Sequence, residues 1–169
     1  MKKNVRHLTH GALIAAMYIA LTYLQNFLLP DSTSWAIQFR ASEALCILAL
    51  FTPAAIPGLA VGCLLYNISY AAALPLDFLV GTLASFLSVL TMRWTRRWTV
   101  LGLPLASLLM PAVWNGLLVG WELNVYIGGG WLINGIYVAI GEAAVLLTLG
   151  SALYFALRSR KLAQRIFDC

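Results

Sequence analysis

The sequence predicts an all-α integral membrane protein with six transmembrane helices, and three observations carry the prediction. Of its 169 residues, 62% are hydrophobic and 10% charged, where a soluble domain carries roughly 25% charged residues. Apolar runs of about twenty residues, enough to cross a hydrocarbon core of about 30 Å, recur along the whole chain. The basic residues gather in short clusters beside these runs, the pattern of loops on one face of a membrane. Helices are the natural spanning element, because backbone polar groups in lipid must be satisfied within their own segment. The whole of 1–169 reads as one membrane domain.

The first span covers about 8–29. Lys2 and Lys3 ahead of it imitate a signal peptide, but the run is too long for an h-region and has no convincing cleavage site. It ends at Pro30-Asp31-Ser32-Thr33-Ser34, a turn-rich loop. The second span, about 41–51, is short and stops before Thr52-Pro53. The third, about 54–74, carries Pro57 near its start, where proline is tolerated. The fourth, about 76–92, follows Pro75 directly. The fifth covers about 101–121 and the sixth about 131–157. Gly128-Gly129-Gly130, the most flexible stretch, reads as a plain turn rather than a gate.

Orientation follows from the cations. Lys2, Lys3 and Arg6 precede the first span; Arg93, Arg96 and Arg97 join the fourth to the fifth; Arg158, Arg160, Lys161 and Arg165 follow the sixth. Six spans put all three clusters, and both termini, on the cytoplasmic face, whereas five or seven would split them. The net charge of +5 is thereby explained without nucleic acid. Cys46, Cys63 and Cys169 have neither paired nor metal-ligand spacing. His7 and His10 are too few to suggest a metal, so no metal or cofactor is expected. Asn67-Ile68-Ser69 matches a glycosylation sequon, but lies too deep in a span for use.

The polar residues converge on the opposite half. Asp31 lies in the first outer loop, and Gln38, Arg40 and Glu43 stand at the mouth of the second span. Asn67 sits about 10 Å below the outer end of the third span, and Asp77 begins the fourth. Asn115 and Glu122, seven residues apart, share a face of the fifth. Glu142 lies about 16 Å down the sixth, close to the midplane. Arg40 is the one cation among these acids. A carboxylate as deep as Glu142 is disfavoured in lipid and must face the bundle interior. There it can bond to Asn67 or Asn115 as simple helix glue, or wait for a ligand. Arg40 and Glu43 can form an ion pair along one helical face or shape a site directly.

Aromatic residues accompany these groups. Trp35 and Trp131 read as interface anchors, and Trp114, beside Asn115, as a wall for a flat ligand. Clustered carboxylates suit a ligand that presents N–H donors or positive charge. On the first span, Ala12, Ala16 and Ala20 form a stripe of small residues at four-residue spacing, with Gly11 and Ala15 alongside. Such a stripe admits another helix closely, either one of the chain's own or a partner's.

Five segments in order carry a family likeness: Gln38-Phe39-Arg40-Ala41-Ser42-Glu43-Ala44-Leu45, the run from Gly58 to Asn67, Asp77-Phe78-Leu79-Val80-Gly81-Thr82-Leu83-Ala84, the run from Asn115 to Leu123, and Gly141-Glu142. Through them the chain resembles the QueT family, membrane-embedded substrate-binding S components of energy-coupling factor (ECF) transporters assigned to queuosine precursors. Tyr66 is larger and Gly116 smaller than the family pattern suggests, and the basic tail from Arg158 is longer. The resemblance implies an S-component-like bundle in a prokaryotic plasma membrane with an outward-facing pocket. It also implies a transmembrane coupling subunit and two ATPases as partners, with Ala12 and Ala16 as the docking surface. The implied substrate is a 7-deazaguanine such as preQ0, preQ1 or queuine.

The residues suit that substrate. A deazaguanine presents an N–H and an amino group side by side, which one carboxylate accepts as a bidentate pair. Glu142 or Glu122 is expected to take that edge, with Asn67, Asn115 and Gln38 serving the carbonyl and ring nitrogens. No Gly-x-x-x-x-Gly-Lys loop is present, so ATP must be used elsewhere, and the chain is not expected to be an enzyme. Three alternatives stay open: an S component for another heterocyclic or cationic nutrient, an intramembrane enzyme using Glu142 and Glu43 as acid and base, and a purely structural membrane protein.

Overall fold

The computed structural model describes residues 2–30, 32, 38–70, 74–100, 102–159 and 162–167. Trp35, Asp31, Arg160 and Lys161 lie outside the described residues, so their assigned places cannot be compared with it. Among the described residues the chain is helical with no strand; one isolated bridge joins Val100 and Leu103. The helices are α1 (Lys2–Leu28), α2 (Ala41–Phe51), α3 (Ala55–Ser69), α4 (Asp77–Thr95), α5 (Met110–Tyr126), α6 (Trp131–Ser159) and the short α7 (Leu162–Phe167).

Prolines and glycines set most of the boundaries. Pro30 halts α1. Thr52, held extended (φ −134°, ψ 136°) by the proline that follows it, ends α2. Pro57 lies in the first turn of α3, where no backbone donor is required. Asp77 opens α4, its negative charge facing the positive end of the helix dipole. The expected fifth span begins late. Gly102 at φ 79° turns the chain, Leu105–Leu108 makes one helical turn, and only at Met110-Pro111 does α5 start. Gly128, Gly129 and Gly130 all have positive φ, a conformation that favours glycine. Their loop is held by Asn124 Oδ1, which accepts from Gly130 N at 3.0 Å, and by Asn134 Nδ2, which donates to Gly128 O at 2.8 Å. This is a tied turn.

Six helical runs match the expected spans in position, but not all match in length. Three are long and apolar enough to cross a membrane by themselves: Asn4–Leu28, Asp77–Thr95 and Trp131–Ser159. Ala41–Phe51 and Ala55–Ser69 are shorter apolar helices. By length and composition, three of the six expected spans are thus long and apolar enough to cross a membrane among the described residues. The physical reason is where the short helices sit. From Ala41 to Ile47, α2 is a tight 3₁₀ helix, buried from Ser42 onward, so its neighbours rather than lipid surround it.

In the packing order, α1 lies against α3, α3 against α4, α4 against α5, and α5 against α6. α2 touches α1, α3, α4 and α6 and so occupies the middle. Around it gather Tyr18, Cys46, Ile47, Leu59, Cys63, Val89, Met92, Leu108 and Leu146, all fully buried. At Leu146–Gly150 α6 widens into one π turn, beside Ile47 of α2.

Glycine contacts bring two helix pairs into backbone contact. A methyl on Gly58 would stand 2.6 Å from Gly11 O, and one on Gly62 3.0 Å from Ala15 O, so α1 meets α3 through Gly11 and Ala15. Ala12, Ala16 and Ala20 are therefore on another side, and they are exposed. A methyl on Gly120 would stand 2.5 Å from Gly135 Cα, and one on Gly116 2.9 Å from Gly135 O. This is how small residues let membrane helices associate without a hydrophobic driving force.

Gly120→Val should force α5 away from α6, at a cost of about 1–3 kcal/mol as in other overpacked cores. Thermal unfolding in detergent should then drop by about 2–4 °C for each kcal/mol lost. Leu117→Val, on the exposed side of the same helix, should leave the midpoint unchanged. Equal midpoints for Gly120→Val and wild type would contradict the contact.

Candidate functional site

The segment leading into α2 is clamped from two sides. Gln25 of α1 donates from its amide nitrogen to Phe39 O and accepts from Ala41 N at 2.7 Å. On the other side, the backbone of Gln38 lies directly against Gly141 of α6, where no larger residue would fit. Gln38 is buried as a result, next to the turn of α6 that carries Glu142. Thr22 of α1 adds a bond from its hydroxyl to Ser42 Oγ at 2.8 Å.

This clamp aims Arg40 and Glu43 in different directions. Arg40 Nη2 lies 3.6 Å from Asp77 Oδ2 at the start of α4, and both side chains are nearly inaccessible. Glu43 accepts from Tyr18 Oη at 2.7 Å and from Cys46 Sγ at 3.1 Å. An ion pair of Arg40 with Glu43 along α2 is thus replaced by one that ties α2 to α4. Asn67 Nδ2 donates to Asp77 O at 3.0 Å, which joins α3 to the same point. Gly81 leaves room there, since a methyl on it would stand 2.8 Å from both Asn67 Nδ2 and Asp77 Oδ1.

Glu142 and Glu122 complete the cluster. Both are fully buried. Asp77 and Glu142 lie within electrostatic reach of Arg40, Glu122 within reach of Asp77 and Arg40, and Glu142 within reach of Glu43. Three carboxylates, from α4, α5 and α6, therefore share the field of one guanidinium, and Glu43 of α2 acts on Glu142 beside them. Neither carboxylate oxygen of Glu122 or of Glu142 has a hydrogen-bond partner among the described residues. The same holds for Asn115 Nδ2, Asn67 Oδ1 and Asp77 Oδ1. Asn67 and Asn115 thus leave Glu142 unbonded, and the helix-glue arrangement is not formed. Unpaired polar groups in a low-dielectric interior are costly.

The arrangement suits a small polar molecule rich in N–H donors. Among the described residues no group of three or more His, Cys, Asp or Glu side chains has metal-binding geometry.

Of the residues singled out from the sequence, Gln38, Arg40, Glu43, Asn67, Asp77, Asn115, Glu122 and Glu142 are all buried. Trp114 is placed elsewhere. Its indole donates to Thr91 Oγ1 at 3.1 Å, fourteen residues down α4 from Asp77 and so about 21 Å away. A second aromatic group, on α3, packs toward Tyr23 of α1. Tyr66 precedes Asn67, Tyr70 stacks on it at 5.3 Å between ring centroids, and Asn26 of α1 donates to Tyr66 Oη. Tyr18 and Cys46 were missed. The signal that finds them is the need of a buried carboxylate for donors: Cys46 lies three residues along α2 from Glu43, and Tyr18 is a phenol in mid-span on α1.

A family model described as QueT transporter matches residues 8–159, nearly the whole chain. No curated protein and no solved structure matches.

Removing the guanidinium should leave Asp77 buried and unpaired, so Arg40→Gln should destabilise by about 3–5 kcal/mol. Adding Asp77→Asn should recover much of that loss. Thermal melts of both single variants and the double variant form a cycle, and purely additive losses would show that the two side chains do not interact.

Proposed function

The chain belongs to the QueT transporter family, and on that premise we propose that it is the substrate-binding S component of an ATP-driven ECF-type importer for a queuosine precursor. The observation that carries this reading is the pair of fully buried carboxylates, Glu122 and Glu142, unbonded among the described residues and close to the Arg40–Asp77 pair. A family of transporters and apolar helices of spanning length place the chain in a membrane, where such acids need a cargo or a relay to justify them.

In this reading all six of α1 to α6 cross the membrane. Of the three shorter ones, α2 does so buried among its neighbours, while α3 and α5 keep an exposed apolar face. The clusters around Arg6, Arg93 to Arg97 and Arg158 face the cytoplasm with both termini, in the prokaryotic plasma membrane. The carboxylate cluster then opens outward. A 7-deazaguanine enters with its flat ring toward Tyr66 and Tyr70. Its adjacent N–H and amino groups meet Glu142 or Glu122 as a charge-assisted bidentate pair. Asn67, Asn115 and Gln38 serve the carbonyl and ring nitrogens. Arg40 acts through Asp77, holding the start of α4 in place rather than touching the ligand.

Energy comes from partners: a transmembrane coupling subunit and two ATPases. Ala12, Ala16 and Ala20, turned away from α3 and exposed, offer the coupling subunit a surface on which helices can pack closely. Transport rather than catalysis is the role, with the site binding and releasing its cargo unchanged.

Isothermal titration of the purified chain with preQ0, preQ1, queuine, guanine, thiamine and biotin tests the substrate. Binding of a deazaguanine is expected, weakened about 10- to 100-fold by Glu142→Gln or Glu122→Gln, the worth of one hydrogen bond to a charged group. Tight binding of thiamine or biotin without a deazaguanine would refute the assignment, and product formation by the chain alone would reverse the non-enzymatic reading. Ala12→Leu with Ala16→Leu should abolish co-purification with a co-expressed coupling module while leaving ligand affinity unchanged. Retained co-purification would move the docking surface elsewhere.

A further inference from the structure

We propose that the arginine-rich end of the bundle holds the phosphate of an anionic phospholipid in a cavity between α2, α4 and α6. This goes beyond the uptake reading and needs only that α4 and α6 lie in a membrane, since the cavity sits at the end of both. The cavity measures about 290 Å³. Its lining is Leu50 and Phe51 at the end of α2, Arg96 and Arg97 just past α4, Pro104, and Tyr154 of α6. Two guanidinium groups thus face apolar and aromatic walls, with no carboxylate in the lining. Guanidinium groups match phosphate oxygens through paired N–H donors.

The walls are fixed by two further arginines. Arg93 donates to Ala49 O at 3.1 Å, which holds the end of α2. Arg158 donates to Gly102 O at 2.9 Å and to Tyr154 Oη at 3.1 Å, which holds the turn before Pro104 against α6. The guanidinium of Arg158 also lies 5.9 Å from the Tyr154 ring centre. The cavity is therefore built from three separate elements tied together by side-chain bonds.

Size and surroundings favour a lipid headgroup. Ligand pockets for larger molecules span about 300–1,000 Å³, so this one suits a phosphate with its glycerol rather than a nucleotide. Phe86, Leu90 and Trp94 are all exposed and follow one another at four-residue spacing, forming a single apolar stripe along α4. Arg97 follows in the turn just past the end of α4. The stripe gives an acyl chain a track that ends at the arginines. Trp94 and Trp98, 85% and 69% exposed, mark the level at which indoles settle between hydrocarbon and water. Basic pockets between helices at that level capture anionic headgroups. A free phosphate ion would use the guanidinium groups but gain nothing from the stripe.

Native mass spectrometry of the purified chain in mixed micelles provides the test, with phosphatidylglycerol, cardiolipin and phosphatidylcholine each added in turn. The expected result is retention of phosphatidylglycerol or cardiolipin over phosphatidylcholine, reduced at least tenfold in Arg96→Gln/Arg97→Gln and partly restored in Arg96→Lys/Arg97→Lys. Thermal melts in phosphatidylcholine nanodiscs check that the variants fold, and matching wild-type midpoints are expected. Equal retention of the three lipids, or retention unchanged in the glutamine variant, would overturn the site. So would full displacement of phosphatidylglycerol by millimolar inorganic phosphate, which would make the site one for the free ion. None of these readouts involves a transported substrate, so they stand or fall separately from the uptake reading.

Discussion

A carboxylate inside a membrane bundle must find a cation, a donor or a cargo, and this constraint shapes the upper half of the molecule. Asp77 finds a cation in Arg40, and Glu43 finds donors in Tyr18 and Cys46. Those two arrangements tie α2 to α4 and α2 to α1. Because α2 is surrounded by its neighbours, the ties fix the centre of the bundle rather than its rim. Glu122 and Glu142 find neither among the described residues. The same constraint thus divides four acids into two that tie helices together and two without a hydrogen-bond partner among the described residues.

The division has an electrostatic logic. Four carboxyl groups against one guanidinium give the cluster more acceptors than donors, so as a whole it favours incoming N–H donors or positive charge over an anion. Had the surplus been positive, an anionic cargo would fit better. Phosphate-like chemistry is instead found at the other end of α4, around Arg96 and Arg97. The two ends of one helix therefore face partners of opposite sign, separated by its nineteen residues.

Much of this was legible in the sequence. Composition and apolar runs are global signals, and the six helical segments fall where they were expected. The polar residues of the cluster stood out because few polar residues occupy the spans at all. What escaped had local physical causes. The late start of α5 depends on Gly102, Pro104 and Pro111 acting together, whereas a hydropathy pattern sees only continuous apolar sequence from Leu101. The pairing of Arg40 with Asp77 rather than Glu43 follows from the extended backbone of Arg40 (φ −99°, ψ 99°), which leaves it ahead of the first turn of α2 and not on a helical face shared with Glu43. Trp114 shares a helix with Asn115, but adjacent residues on a helix face different neighbours, and Thr91 offered its indole a bond. The close glycine contacts are invisible to any scale that scores residues one at a time.

The π turn in α6 resolves a problem of phase. Glu142 and Tyr154 are twelve residues apart, and at about 100° per residue an uninterrupted α-helix would point them roughly 120° away from each other. Both are nevertheless buried. A π turn absorbs one extra residue, so the effective separation falls to eleven and the angle to about 20°. Leu146–Gly150 acts as a phase corrector, letting one helix present a carboxylate to the cluster at one end and Tyr154 to the arginine cavity at the other. In a comparison with related chains, a one-residue gap within this stretch would leave both faces aligned, whereas a gap elsewhere in α6 would turn one of them out into lipid.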